Sequence, residues 1–227
     1  MRPIVKFLAL FVICLPALAL ALEGVTSQEA AQGLRQALTQ GSVAAVAKLG
    51  RADGFLGNPR VKIPLPDSLR KAEGLMRALG MGGYADELVV SMNRAAEAAV
   101  SEAKQLLIDA VKKMTLEDAR GILSGGDDAA TQYFRRTTSA ALAQKFLPIV
   151  KKATAKVKLA EKYNQLAARG AKFGLVDETQ ANLESYVTRK ALDGLFLMIA
   201  EEERAIRKDP LGQASGLIRK VFGALGK

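Results

Sequence analysis

Residues Asn182–Ile206 read NLESYVTRKALDGLFLMIAEEERAI, and this stretch decides the fold. Asn182 is a side chain suited to accept from the free N–H groups of a helix start. Leu192, Leu195, Ile199 and Ile206 recur at intervals of three, four and seven, the spacing of one helix face. That face then runs into Glu201-Glu202-Glu203: seven past Leu195 is Glu202, and four past Ile199 is Glu203. One of these carboxylates therefore points inward. A carboxylate taken out of water needs a guanidinium, a cation or a proton. Arg135 and Arg136 are the expected partners, because Arg135 lies one heptad before Leu142 and can approach the same interior. A structural ion pair is the plainer reading, and a carboxylate site for catalysis or for a hard cation is its alternative.

The same period extends outward along the chain. Thr26 with Glu29 fits a capping box before Leu34, Leu38, Ala45 and Leu49, with Gly41 as a point of bending. Asp67 is expected to cap a short helix through Leu69, Ala72, Met76 and Leu79, which stops at Gly80, Gly82 and Gly83. One long alanine-rich helix carries Leu88, Met92, Ala95, Ala99, Leu106 and Ala110, and Thr115 with Asp118 starts a short one ending near Gly125-Gly126. Asp127 or Asp128 caps the next, with Ala130, Tyr133, Phe134, Thr137 and Ala141 inward and Pro148 as a kink or new start. After a break at Gly174 comes the Asn182 helix. Asp209-Pro210 is the expected start of a last basic helix with Leu217, Ile218, Val221, Phe222 and Leu225.

Only Gly50 to Pro66 departs from this pattern: Val61, Ile63 and Leu65 alternate there, so the stretch is extended and half buried, a short strand being one form it can take. The expected fold is all-α: a single-domain bundle of about six to eight helices over residues 22–227, with one extended Gly/Pro-rich loop.

Arg2 and Lys6 precede an apolar run, Phe7 to Ala21, ending in Ala19-Leu20-Ala21, so residues 1–21 are expected to be a cleaved signal peptide. The run is short for a membrane span and is interrupted by Pro16, while Ile13 denies Cys14 the small neighbour that lipidation needs. Export to the periplasm or beyond is the expectation. Cleavage removes the only cysteine and leaves a chain without cysteine, histidine or tryptophan. That composition excludes ordinary zinc, copper and haem sites, a Ser-His-Asp triad and a cysteine nucleophile. No cofactor is expected; carboxylate pairs, a Ser-Lys dyad and an all-oxygen Ca²⁺ or Mg²⁺ site remain open. Without disulfides, stability must come from packing. Removing Arg2 and Lys6 from 33 basic residues leaves 31 against 23 acidic ones, a net charge of +8. For an exported chain, anionic envelope components rather than nucleic acid are the polyanions within reach, beside a basic surface with no specific partner.

Ser68 with Lys71 and Ser101 with Lys104 match Ser-x-x-Lys, which sets a nucleophile and a base one helical turn apart. Chance alone supplies roughly one such match, so two carry little weight, and no Lys-Thr-Gly or Ser-Asp-Asn partner follows. The candidate ligand-binding set is Asp127, Asp128, Arg135, Arg136, Glu202 and Glu203, with helix capping and ion pairing as its structural alternative. Lysines 145, 151, 152, 156, 158 and 162 form either a solvated face or a peripheral membrane contact, and the C-terminal helix with Phe222 and Arg219-Lys220 is better suited to an interface.

Four segments carry a resemblance: Asp53 to Pro66 (DGFLGNPRVKIPLP), Gly125 to Arg136 (GGDDAATQYFRR), Phe146 to Thr154 (FLPIVKKAT) and Ala191 to Glu203 (ALDGLFLMIAEEE). They resemble the bacterial domain-of-unknown-function 4197 family over nearly all of the mature chain, with Lys158 standing where similar sequences often have glycine. The resemblance implies an exported helical domain and carries over no catalytic or binding residue. The functional expectation is a non-enzymatic periplasmic protein binding a partner or an apolar or anionic envelope ligand. The alternatives are a carboxylate-based enzyme using Glu202 or Glu203 with Asp127 or Asp128, and a membrane-surface protein.

Overall fold

The structure, a computed structural model, describes residues 25–80, 82–172, 177 and 180–225. The expected signal peptide with Cys14 and the break at Gly174 lie outside the described residues. Helices account for the ordered elements: α1 (Ser27–Gly50), α2 (Asp67–Ala78), α3 (Gly82–Ser101), α4 (Lys104–Lys113), α5 (Leu116–Leu123), α6 (Ala129–Thr154), α7 (Lys158–Lys172), α8 (Leu183–Lys208) and α9 (Gly216–Leu225). Among the described residues there is no strand, so the fold is all-α. Nor is any described helix long and apolar enough to cross a membrane.

The long helices α3 and α8 pack against each other and each against both α1 and α6, and the four enclose the core. Phe134, Phe146, Phe196, Leu34, Leu49, Leu88 and Met92 are among its largest fully buried side chains from these helices. The Thr26 capping box is present: Thr26 Oγ1 accepts from Glu29 N at 3.1 Å, and the Glu29 carboxylate accepts from Thr26 N at 2.9 Å. Asn182 caps α8 by accepting from Ser185 N at 2.8 Å. α1 runs unbroken through Gly41; a Cβ there would lie 3.3 Å from Glu202 Cβ, so the glycine permits close approach of α8. Around the core, α4 and α5 lie on α1 and α6, α7 on α3 and α8, and α9 on α1. Gly33 makes that last contact tight, since a Cβ there would be 2.6 Å from Val221 Cγ2.

The structure changes several boundaries. The long helix expected from Leu88 to Ala110 is two, α3 and α4. Glu102 N and Ala103 N donate to Ala99 O and Val100 O, a tighter winding, and Ser101 Oγ sits 3.0 Å from Glu97 O and 3.3 Å from Gly50 O. A serine hydroxyl competing for helix carbonyls favours such a break. Asp67 does not cap α2 but is its first residue, after Pro66, and Leu79 is exposed rather than inward. Asp128 holds the N-cap position of α6 without a side-chain capping bond. The inner stripe of α6 is Phe134, Thr138, Leu142, Phe146, Val150 and Thr154, spaced by four, so Thr137 and Ala141 face outward. Pro148 stands within a continuous α6 on its exposed side. Asp209 is the C-cap of α8 and not the start of α9, which begins after Ser215.

The loop from Arg51 to Pro66 follows the period-two expectation. Val61, Ile63 and Leu65 are buried, and Arg60 and Lys62 are exposed. In place of a neighbouring strand, the buried amide of Asn93 pairs the loop: Ile63 N donates to Asn93 Oδ1 at 2.8 Å, and Asn93 Nδ2 donates to Ile63 O at 2.9 Å. Gly194 of α8 admits the Phe55 ring, whose Cε1 would be 2.7 Å from an added Cβ.

Candidate functional site

The inward carboxylate is Glu203, with its side chain 5% exposed. Its neighbours are the first N–H groups of α6. Ala130 N donates to Oε1 at 3.0 Å, and Thr131 N and Oγ1 each donate to Oε2 at 2.9 Å. On its own helix, one turn on, Arg207 donates to Oε1 through Nε at 3.2 Å and Nη2 at 2.9 Å. Arg207 Nη2 also reaches Ile122 O at 2.9 Å, near the C-terminus of α5. Glu203 thus caps α6 from another helix, where partial positive charge favours a carboxylate, and its arginine closes the end of α5. Its two oxygens are saturated and sealed from solvent. A cavity of about 20 Å³ beside them, lined by Leu34, Gly41, Phe134, Ile199 and Phe222, has room for one water and none for a substrate.

The expected pairing with Arg135 or Arg136 is therefore replaced by Arg207. Both α6 arginines face outward: Arg135 lies 3.7 Å from Asp193 and stacks 4.7 Å over the Phe196 ring. Arg136 lies 3.6 Å from Asp118 and over Tyr133. Leu142 does face the core, but the inner stripe of α6 steps by four residues, so two steps before Leu142 it stands at Phe134 and leaves Arg135 outside it. Glu202 pairs with Lys48, and Glu201 with Arg60 at 2.8 Å. Asp128 accepts from Gln132, and Asp127 is exposed. The six residues singled out from sequence do not converge on one cleft. Among the described residues, no group of three or more carboxylates is placed to hold a metal ion. Ser101 Oγ faces backbone carbonyls and Ser68 Oγ faces Tyr163 OH, while Lys71 and Lys104 are exposed.

A second buried carboxylate was not foreseen. Glu97 Oε1 accepts from Phe55 N at 3.0 Å and Leu56 N at 3.1 Å, and Oε2 accepts from Arg94 at 2.8 Å. Arg94 also holds Asp53, whose φ of 62° turns the loop back toward α3. The same device recurs: one buried carboxylate, two backbone N–H groups and an arginine three or four residues away on the same helix. The available signal was position. Asn93 and Glu97 adjoin Met92 and Ala96, within the apolar side of α3.

Open space lies elsewhere, between the Arg51–Pro66 loop, α2 and α3. A groove of about 590 Å³ is lined by Leu56, Pro59, Pro64, Leu65, Val89 and Val90, with Lys62, Arg70, Glu73, Arg77 and Asp86 also in its wall. Arg77 joins Glu73 and Asp86 at 2.7 Å each, so it bridges the two helices, and these partners hold its guanidinium more firmly protonated than usual. Among the described residues, Arg70 pairs only with exposed Asp67, and Lys62 makes no ion pair. α2 itself buries no residue and leaves Leu75 and Leu79 each 66% exposed. It is the least anchored wall of the groove.

Over residues 24–223 the chain matches the family described as “Protein of unknown function (DUF4197)”, and it belongs to that family. No curated protein and no solved structure matches it.

Proposed function

We propose that this member of the DUF4197 family is a non-enzymatic periplasmic helical protein that binds a protein partner or an apolar or anionic envelope ligand, and that it does so in the groove beneath α2. The observation that carries this reading is the groove: about 590 Å³ with an apolar floor and a charged rim, comparable with sites that hold small ligands or peptide side chains. Val89 and Val90 supply apolar contact, and Lys62 and Arg70 supply cations that a bound anion can meet. Of the carboxylates that a carboxylate-based enzyme could use, the buried pair Glu203 and Glu97 are already held by backbone N–H groups and arginines. Export rests on Arg2, Lys6, the apolar run to Ala21 and the Ala19-Leu20-Ala21 pattern.

The test is mass spectrometry of molecules that co-purify with the protein from periplasm, beside the variant Val90→Trp. Val90 is 44% exposed, so the larger ring can enter the groove without disturbing the core. A species bound to the parent protein and lost from the variant is the expected result. Equal recovery from both would place binding outside the groove.

A further inference from the structure

The corner joining α6 to α7 is charged in an unusual way. Residues 145–162 hold six lysines, Lys145, Lys151, Lys152, Lys156, Lys158 and Lys162, and a single acid, Glu161. All six lysines are exposed. Lys145 lies 3.4 Å from Glu102, whereas the other five make no salt bridge among the described residues, and Glu161 accepts from Gln165. The C-terminal dipole of α6 accounts for Lys151 and Lys152 in its last turn. It does not account for Lys156 and Lys158, which stand at the N-terminus of α7, where a helix disfavours cations. Five like charges around a single local acid, with no salt bridge among the described residues, repel one another, so an external anion relieves a cost already built into the fold.

The chemistry of the patch selects the kind of anion. The chain has fifteen arginines, yet this segment uses lysine alone. Lysine acts as a mobile point charge, whereas arginine is the residue for fixed, bidentate phosphate recognition. No aromatic residue in 145–162 is exposed to stack on a base, since Phe146 is fully buried. Leu147 is 41% exposed and lies one turn before Lys151, beside exposed Pro148. Exposed apolar side chains among diffuse cations suit the boundary of a lipid bilayer. The apolar face of α9 takes no part, because Ile218, Val221 and Phe222 are buried.

We propose that the α6–α7 corner, through Lys151, Lys152, Lys156, Lys158 and Lys162, is a docking surface for an anionic phospholipid membrane. The mature protein should sediment with phosphatidylglycerol-containing vesicles, not with pure phosphatidylcholine, and each lysine removed should weaken partitioning about fivefold at low salt. The variant carrying Lys→Gln at all five positions should lose vesicle binding while keeping its melting temperature, since none of the five packs in the core. A control with Lys→Gln at positions 71, 104, 112, 113 and 208 removes the same charge elsewhere on the surface and should retain most binding. No binding to the anionic vesicles, or equal loss in the two variants, overturns the proposal. Tighter binding to inorganic polyphosphate than to vesicles at equal phosphate concentration also overturns it, by assigning the surface to a soluble polyanion.

Discussion

Replacing Glu203 with alanine should be among the most damaging single changes in the protein. The substitution strands Ala130 N, Thr131 N and the Thr131 hydroxyl at the start of α6, and it leaves Arg207 with the Ile122 carbonyl as its one hydrogen-bond acceptor among the described residues, beside the Phe222 ring. The arginine side chain is 14% exposed, so water can relieve only part of its loss. Breaking a buried, hydrogen-bonded ion pair costs about 3–5 kcal/mol, which for a domain of this size lowers the melting temperature by roughly 6–20 °C. Arg207→Ala should cost less, about 1–3 kcal/mol, because three donors still hold the carboxylate. Urea unfolding of both single variants and the double variant should give a coupling above about 1 kcal/mol. The corresponding cycles of Glu203 with Arg135 and with Arg136 should show less than about 0.5 kcal/mol. A loss below about 1 kcal/mol for Glu203→Ala would refute the reasoning and make Glu203 the first residue to test for ligand binding.

Ile63→Asp should destabilise the protein by about 3 kcal/mol or more, read by urea unfolding, because the side chain is 1% exposed and an unpaired carboxylate would replace it. Gly194→Ala should cost about 1–3 kcal/mol by displacing Phe55, and Phe55→Leu in the same chain should recover part of that loss. The Lys220 ammonium and then the Thr26 N–H and hydroxyl hold the Glu29 carboxyl down at about 2. A carboxyl lowered on folding stabilises above its unfolded value near 4.5 and loses that contribution as pH falls toward 2, so Glu29→Gln should flatten the acid limb of the melting profile. Burial, followed by Asp67, pushes the Tyr186 phenol up to about 12, so Tyr186→Phe should remove the last step of an ultraviolet phenolate titration.

The sequence made some of this legible and hid the rest for physical reasons. Helix periodicity and the Thr26 and Thr115 capping boxes are local, so they read correctly. The alternation of Val61, Ile63 and Leu65 likewise carried the loop's orientation. The stripe through Leu195 and Ile199 correctly demanded an inward carboxylate, but not its partners. Two of those partners are backbone N–H groups, which carry no residue label, and the arginine lies on the same helix instead of the facing one. The break between α3 and α4 has neither proline nor glycine at positions 102 and 103; it depends on Ser101 meeting the end of α1, a contact between distant parts of the chain. The groove was invisible for the same reason, because its walls come from three segments that only the fold assembles.

The central claim is that binding occurs in the groove beneath α2 and not at the carboxylates near the start of α6. Photocrosslinking in cells tests it directly, with p-benzoylphenylalanine placed either at Val90, in the groove wall, or at exposed Asp127. The account predicts a discrete adduct from position 90 and none from position 127. An adduct from position 127 with none from position 90 would contradict it.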